Sequence, residues 1–439
     1  MHLFLATFVL STVLLAVPGH TQDADRLPRR ADLGAVLRPP VGSAPPRIVT
    51  VTSGSALHAA GLRAGDELLA LDGQAFSDAI DFERRVAALR GGSQVRLQVR
   101  RDRTTMTISA TLAPMRRDQI PGFQVLYTHV MNPRGFRQRA ILSRPAEIAS
   151  NEARRPAILF VPWLSCDSIE SPLGPSPGID ELLYQLAAQS GWVLLRVDKP
   201  GVGDSEGVCA DTDLETEIDG SRAALTWLRT HPWVDPARIV IMGHSFSGAF
   251  LPLVAADTPV AGYIVINSWV RTWMERLLEF ERLQAEASGI SPPEVSERQR
   301  QLVQFYALFL EQQKTPREVI ALRGDLAAVW NDAPEHQYGR PARFHHQLQR
   351  VNAARAWSGV TVPTLAMWGD ADLVMHRSDH ERLVAMVNRN LAGRAELVVI
   401  PGADHSLAAR GADGRSRLPA TVLPAIRRFL DRVHARPVR

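Results

Sequence analysis

Three residue types in the carboxyl-terminal half of the chain could together carry acyl transfer. Ser245 lies in Gly243-His244-Ser245-Phe246-Ser247-Gly248, directly after the apolar run 239–242. A serine hydroxyl attacks a carbonyl near neutral pH only when a base takes its proton, and that base needs a third group to orient it. A sharp strand-to-helix turn exposes such a serine and demands small neighbours. Gly243 and Gly248 meet that demand, while Ser247 stands where a second glycine is usual. Taken alone, the stretch also fits an unreactive turn serine. Downstream, the apolar run 364–369 ends in Asp370-Ala371-Asp372, and the run 396–400 ends in Pro401-Gly402-Ala403-Asp404-His405. Serine, acid and histidine thus follow in order, each just past an apolar run.

These runs belong to a larger pattern. Segments 157–162, 192–198, 238–243, 263–267, 364–369 and 396–400 are continuously apolar, as expected of strands buried on both faces of a mainly parallel sheet covered by helices. Segments 125–130 and 137–143 read as a leading strand pair, and 180–191, 217–230, 379–389 and 420–433 carry helical periodicity. The carboxyl ends of such strands are where open α/β sheets bind ligands. Between about 270 and 357 the pattern is helical with no strand, so this piece is predicted to be a lid inserted between two site-bearing strands.

Residues 120–435 resemble the α/β-hydrolase family. The resemblance implies Ser245 as nucleophile and His405 as general base. Its acid stands three residues after the strand-end glycine, which selects Asp372 from Gly369, with Asp370 as the alternative. The oxyanion would be held by the backbone N–H of Phe246 and by the loop after the run 157–162. There Pro162-Trp163-Leu164 occupies the place of the family's His-Gly-x; Leu164 is the first candidate donor and Trp163 the second. Trp163 is also a candidate wall of the acyl pocket. Lys199-Pro200 stands where many relatives have Arg-Gly ahead of Gly-x-Ser, a structural loop; no Gly-Lys-Ser/Thr follows that would cradle phosphate. His244 is expected to pack behind the site, His345 and His346 to be exposed or to pack in the lid, and His380 to begin a helix.

The implied activity is hydrolysis of a carboxylic ester or related acyl bond through an acyl-enzyme, acting on a small-molecule or peptide substrate. A peptidase of the same fold is the alternative. No metal or organic cofactor is implied.

Ahead of this region, 54–74 combines a short helical pattern, Gly61-Leu62, Gly65-Asp66, Leu68-Leu69 and a turn at Asp72-Gly73. A helical pattern at 79–90 and two alternating strands follow. These residues resemble a PDZ domain over about 33–115, a small α+β unit. PDZ domains add an extended peptide beside a strand and hold its terminal carboxylate on backbone amides, which points to Leu33, Gly34, Ala35 and Val36. A packing module without a peptide ligand is the other reading, and a PDZ scaffold carrying a silent hydrolase domain is the rival from another functional class.

Composition bounds the rest. The 439 residues are 45% hydrophobic and 22% charged, with 50 basic residues against 46 acidic ones, the balance of a globular protein. No basic block of five or six residues occurs, which argues against nucleic acid. Residues 1–20 hold an apolar run ending in Pro18-Gly19 that reads as an export signal, with an uncleaved anchor as the alternative. No later segment is apolar for long enough to span a membrane. A periplasmic or secreted location permits one disulfide, between the only two cysteines, Cys166 and Cys209. Both fall in loops expected on the same sheet edge; two unpaired buried thiols are the alternative.

Overall fold

The computed structural model of the chain describes residues 27–40, 44–146, 154–172 and 174–435, and the apolar leader at 1–20 lies outside them. Strands β1 (Ala35–Arg38), β2 (Arg47–Val51), β3 (Glu67–Leu71), β4 (Gln94–Arg101) and β5 (Thr104–Thr111) form an antiparallel sheet in that order. Alternate residues Val95, Leu97 and Val99 of β4 point into one core with Ile48, Leu57, Leu62 and Leu68. Helix α1 (Ala79–Ala87) adds Phe82 to that core and starts at Asp78, whose side chain accepts from Asp81 N–H. Asp72 and Gly73 both have positive φ, 52° and 83°, the turn geometry that an Asp-Gly pair supplies between twisted strands.

The larger sheet contains β6 (Phe123–Met131), β7 (Arg137–Pro145), β8 (Arg155–Val161), β9 (Val193–Val197), β10 (Val234–His244), β11 (Gly262–Ile266), β12 (Thr364–Gly369) and β13 (Ala395–Ile400), in the spatial order β13-β12-β11-β10-β8-β9-β7-β6. Pairing is parallel from β13 to β9 and antiparallel for β7 and β6. The order reverses at β8, so the loops leaving β8 and β10 open next to each other.

Period-two alternation along β10 fills both faces: Ile239 and Ile241 enter one core, Val240 and Met242 the other. Helices α2 (Ile179–Gln189) and α3 (Leu214–Thr230) cover opposite faces, α2 through Leu182, Leu183 and Leu186, α3 through Ile218, Leu225 and Leu228.

The inserted piece comprises α4 (Trp273–Ala287), α5 (Pro292–Tyr306), α6 (Pro316–Leu322), α7 (Ala342–Arg350) and α8 (Ala353–Ser358). Helices α4, α5 and α6 each begin with a reciprocal capping box, Thr272 with Glu275, Ser291 with Glu294 and Thr315 with Glu318. The insertion is not wholly helical as expected: residues His336–Gln337 pair with Arg340–Pro341 around Tyr338-Gly339, both at positive φ. Ladders of two residues leave no alternation to detect in the sequence. Trp273, Leu277, Phe305 and Phe309 of this piece join the same apolar cluster as Ile241 and Val265 of the sheet, so lid and sheet share a core. Helices α9 (Arg377–Asn390) and α10 (Val422–His434) complete the fold.

The segment before β1 packs on the larger domain. Leu27 is buried, Arg29 pairs with Glu170 and Asp204, each at 2.7 Å, and Arg30 N–H donates to Asp204 at 2.7 Å. Asp204 also holds the wholly buried Arg139. After β5, Asp118 pairs with the buried Arg196 at 2.9 Å. A cavity of about 650 Å³ lies between α1 and the larger domain, with Phe82, Glu83 and Val86 on one side and Cys166, Cys209 and Tyr338 on the other, and Arg84 of α1 bridges beside it to Asp211 at 2.7 Å. Among the described residues no helix is long and apolar enough to cross a membrane.

Cys166, in the loop after β8, is bonded to Cys209, in the loop after β9. Closing a loop of this length removes freedom mainly from the unfolded chain. Replacing both cysteines with serine is expected to lower the unfolding free energy by roughly 2 to 4 kcal/mol in a urea titration, and reductant to have the same effect on the parent only.

His380 anchors α9 to the sheet. Its Nε2 accepts from Ser268 N–H at 2.9 Å and its Nδ1–H donates to the carbonyl of His376 at 3.1 Å. The ring is therefore neutral, and burial pushes its pKa down to about 4. Between that value and the usual histidine range the unfolded chain binds a proton that the folded chain refuses, so stability falls as the pH is lowered through this window. Burial lowers His244 and His345 in the same direction, each to about 3. Thermal unfolding at pH 7, 6 and 5 should show a steep loss that His380→Gln flattens, by up to about 1.4 kcal/mol per pH unit.

Candidate active site

Strand β10 ends at Ser245, whose φ of +57° is left-handed. For a residue with a β-carbon such a conformation costs roughly 1 to 3 kcal/mol and persists only when its surroundings enforce it. The turn is crowded. A β-carbon at Gly248 would lie 2.6 Å from Ser268 Cβ, and one at Gly243 2.8 Å from Ser247 Oγ. Ser247 fits where glycine is usual because its hydroxyl is used: it donates to Val161 O at 2.7 Å and accepts from His244 N–H at 3.1 Å. One side chain thus ties the end of β10 to the end of β8.

Ser245 Oγ lies 2.9 Å from His405 Nε2, and His405 Nδ1 lies 2.9 Å from Asp372 Oδ2. The other carboxylate oxygen of Asp372 accepts from the N–H groups of Val374 and Met375 at 2.7 and 3.0 Å. Burial alone would raise its pKa, but the contact with His405 and the two amides outweigh it and hold the carboxyl below the usual range. Asp370 sits elsewhere, exposed, accepting from Gly402 N–H at 2.6 Å; of the two candidate acids it is Asp372 that meets the histidine. The chain Asp372–His405–Ser245 is therefore arranged for one imidazole to receive the serine proton while a buried carboxylate fixes its tautomer.

Two residues hold the backbone of His405. Asn267, just past β11 at φ +46°, donates through Nδ2 to the carbonyls of Asp404 and His405 at 3.1 and 2.8 Å and accepts from Gly369 N–H at 2.9 Å. His244 Nε2–H donates to the same His405 carbonyl at 2.8 Å, and burial keeps the ring neutral. His244 thus packs behind the site as expected, whereas Asn267 was not singled out in the sequence. Its only local signal is asparagine at a strand end, a residue that tolerates left-handed backbone.

The loop after β8 is shaped from behind by Lys199. Its ammonium is buried and donates to the carbonyls of Trp163 at 2.6 Å, Leu164 at 3.1 Å and Ser165. Burial, with the Arg340 charge nearby, pushes its pKa well below the usual lysine range. Across a trans peptide the carbonyl and the next N–H point to opposite sides, so the N–H groups of Leu164 and Ser165 face away from Lys199. The Phe246 N–H is one of the first in a helix, a group with no intrahelical acceptor. Trp163 is half-buried, with its ring 6.2 Å from that of His244, which in turn lies 5.2 Å from that of His405.

The sequence marks Lys199 only as part of a structural loop. Its signal was its type: in a chain whose basic residues are almost all arginine, Lys199 and Lys314 are the only lysines. The remaining histidines lie outside this arrangement. His345 is fully buried rather than exposed, packed in the lid, and His346 is partly buried beside Phe309. Among the described residues no group of three His, Cys, Asp or Glu could hold a metal ion.

In the smaller domain, Leu33 and Ala35 pack on the core and Gly34 has φ +56°. Gly34 N–H is taken by Asp32 Oδ1 at 2.8 Å. Among the described residues strand β1 pairs on one side only, and Val36 on it is 58% exposed.

Comparison with known proteins agrees with this architecture. Residues 158–414 match the alpha/beta hydrolase family and residues 31–112 match the PDZ domain. Esterase EstD of Thermotoga maritima is 20% identical over 274 residues, which are 62% of this chain and 59% of that protein. The chain thus spans about three-fifths of the length of this curated relative. The solved structure of Est1E from Butyrivibrio proteoclasticus with ferulic acid bound is 18% identical, covers 70% of this chain and 100% of its own, and has a TM-score of 0.45. The Pyrococcus furiosus esterase Pf2001 is 11% identical, over 71% of this chain and 90% of its own, with a TM-score of 0.43. With the family match extending over more than half of its residues, the chain belongs to the alpha/beta hydrolase family and carries a PDZ domain ahead of the hydrolase fold.

Proposed function

We propose that this protein is an exported serine hydrolase that cleaves carboxylic esters. The observation that carries this reading is the unbroken chain of contacts from Asp372 through His405 to Ser245, each link 2.9 Å, at the carboxyl ends of β12, β13 and β10. His405 takes the hydroxyl proton as Ser245 attacks the carbonyl, then returns it to the leaving alcohol. Water, deprotonated by the same imidazole, resolves the acyl-enzyme. Asp372 stabilises the imidazolium formed in each step. The N–H groups of Phe246 and Leu164 receive the developing oxyanion, and Lys199 fixes the peptide planes of the second donor. The esterase name of the Thermotoga maritima relative favours an ester over an amide, and the leader with the Cys166–Cys209 bridge supports export.

A fluorophosphonate probe is expected to label the protein, and Ser245→Ala to abolish labelling. Asp372→Asn should lower kcat for a p-nitrophenyl ester by roughly 10³ to 10⁴ with little change in KM. Absence of labelling would leave a silent hydrolase fold, and turnover of aminoacyl p-nitroanilides without turnover of esters would make the enzyme a peptidase.

The open edge of β1 supports a second contact, an extended peptide added as a further strand of the PDZ domain. Because Asp32 occupies the Gly34 amide and places negative charge there, a free carboxyl terminus must compete with it. On an array of peptides with free carboxyl termini, Asp32→Asn is expected to retain more peptides than the parent.

A further inference from the structure

Four arginines are buried among the described residues: Arg139, Arg196, Arg276 and Arg340. Three of them face a carboxylate, Arg139 with Asp204 and Arg196 with Asp118 at 2.9 Å each, and Arg340 with Glu217. Arg276, one turn into α4 and 6% exposed, does not. Its guanidinium lies 5.0 Å from the ring of Trp273 and 4.8 Å from that of Phe280, and its charge acts on the Tyr338 side chain. Its Nε and Nη1 have no acceptor among the described residues, and neither does Trp273 Nε1. Trp273 stacks on His345, ring centroids 5.9 Å apart, whose Nε2–H donates to Gln337 O at 2.9 Å.

A buried cation without a counter-charge is strongly unfavourable, and each unmatched donor adds to the cost. The other three buried arginines meet that requirement with the chain's own carboxylates; no carboxylate pairs with Arg276 among the described residues, and Glu281, whose charge also acts on Tyr338, is taken by Arg298 at 3.0 Å. The position suits a substrate. Phe246 directly follows Ser245, its ring lies 6.3 Å from that of Trp269, and Trp269 lies 5.2 Å from Trp273. No step from the residue beside the nucleophile to the guanidinium exceeds 6.3 Å.

We propose that Arg276 and Trp273 form an anionic subsite in the lid, and that the substrate is an ester carrying a carboxylate several atoms from the scissile carbonyl. One guanidinium neutralises one negative charge, which matches a carboxylate and leaves a phosphate dianion half-compensated. The apolar rings around it suit a hydrocarbon spacer between carboxylate and ester. The proposal rests on the reading of Ser245, Asp372 and His405 as an ester-cleaving triad.

The test compares p-nitrophenyl monoesters of straight-chain dicarboxylic acids with p-nitrophenyl esters of monocarboxylic acids of matching length. In the parent, kcat/KM for the carboxylate-terminated ester should exceed that of its uncharged match by about tenfold or more at one spacer length, the scale of a buried charge-assisted hydrogen bond. Arg276→Met should bring this ratio to about one, and Arg276→Lys should restore part of it, which a loss of folding would not do. Independently of catalysis, the free dicarboxylate of the best length should raise the Tm of the Ser245→Ala protein and not that of Ser245→Ala with Arg276→Met. Esters turned over without charge preference, together with no dicarboxylate-dependent Tm shift, would overturn the subsite and leave the hydrolase intact. An Arg276-dependent Tm shift with no ester turnover in the parent would retain the subsite and overturn the ester-cleaving reading.

Discussion

A left-handed serine at the end of β10 forces the chain to reverse within a space that admits only small side chains. That crowding determines much of what surrounds it. The Ser247 hydroxyl fits because it bonds to the carbonyl of Val161, so the exit of β8 is positioned relative to Ser245. From there the Lys199 ammonium gathers three successive carbonyls and sets the peptide planes of the adjoining loop. On the far side, Asn267 and His244 fix the backbone of His405 relative to β11 and β10. The strain at one residue is sustained because strands buried on both faces leave the turn nowhere to relax. A packed interior resists continuous deformation, and here that resistance holds the geometry of the turn.

The sheet was readable because its strands are apolar on both faces, and the serine, acid and histidine were readable because each directly follows such a strand. The choice between Asp370 and Asp372 came from the family's spacing; the contacts distinguish them, since one carboxylate reaches His405 and the other Gly402. The residues that position Ser245, Asp372 and His405 were not readable. Asn267, Lys199 and Ser247 act on backbone groups far away in sequence, and neither periodicity nor local propensity records such partners. The hairpin at 336–341 was missed because two-residue ladders leave no alternation, although Tyr338-Gly339 occupies the place of a two-residue turn. The capping boxes of the lid, by contrast, stand in the sequence as Thr272 to Glu275, Ser291 to Glu294 and Thr315 to Glu318.

Charge in this chain is handled mainly by arginine. Arg139 and Arg29 share Asp204, and Arg196 takes Asp118. Such buried pairs add little net stability, since desolvation offsets their attraction, but removing one partner strands the other. Their effect is to specify arrangement: each carboxylate accepts one approach of the chain and penalises the alternatives. The same logic makes an arginine without a carboxylate stand out.

The residues before β1 give the PDZ domain an uncommon mechanical status. Leu27, Arg29 and Arg30 are seated on the hydrolase, the chain then leaves to build the PDZ sheet, and it returns at Asp118 to the same surface. Both ends of the module are therefore clamped to one base, as in a domain inserted into a host and unlike a bead on a flexible string. A double anchorage of this kind restricts free rotation, and Arg84 of α1 adds a third tie, to Asp211 beside the disulfide at 2.7 Å. Force applied to the β1 edge would accordingly pass to the hydrolase loops through these contacts, without any linker having to stretch.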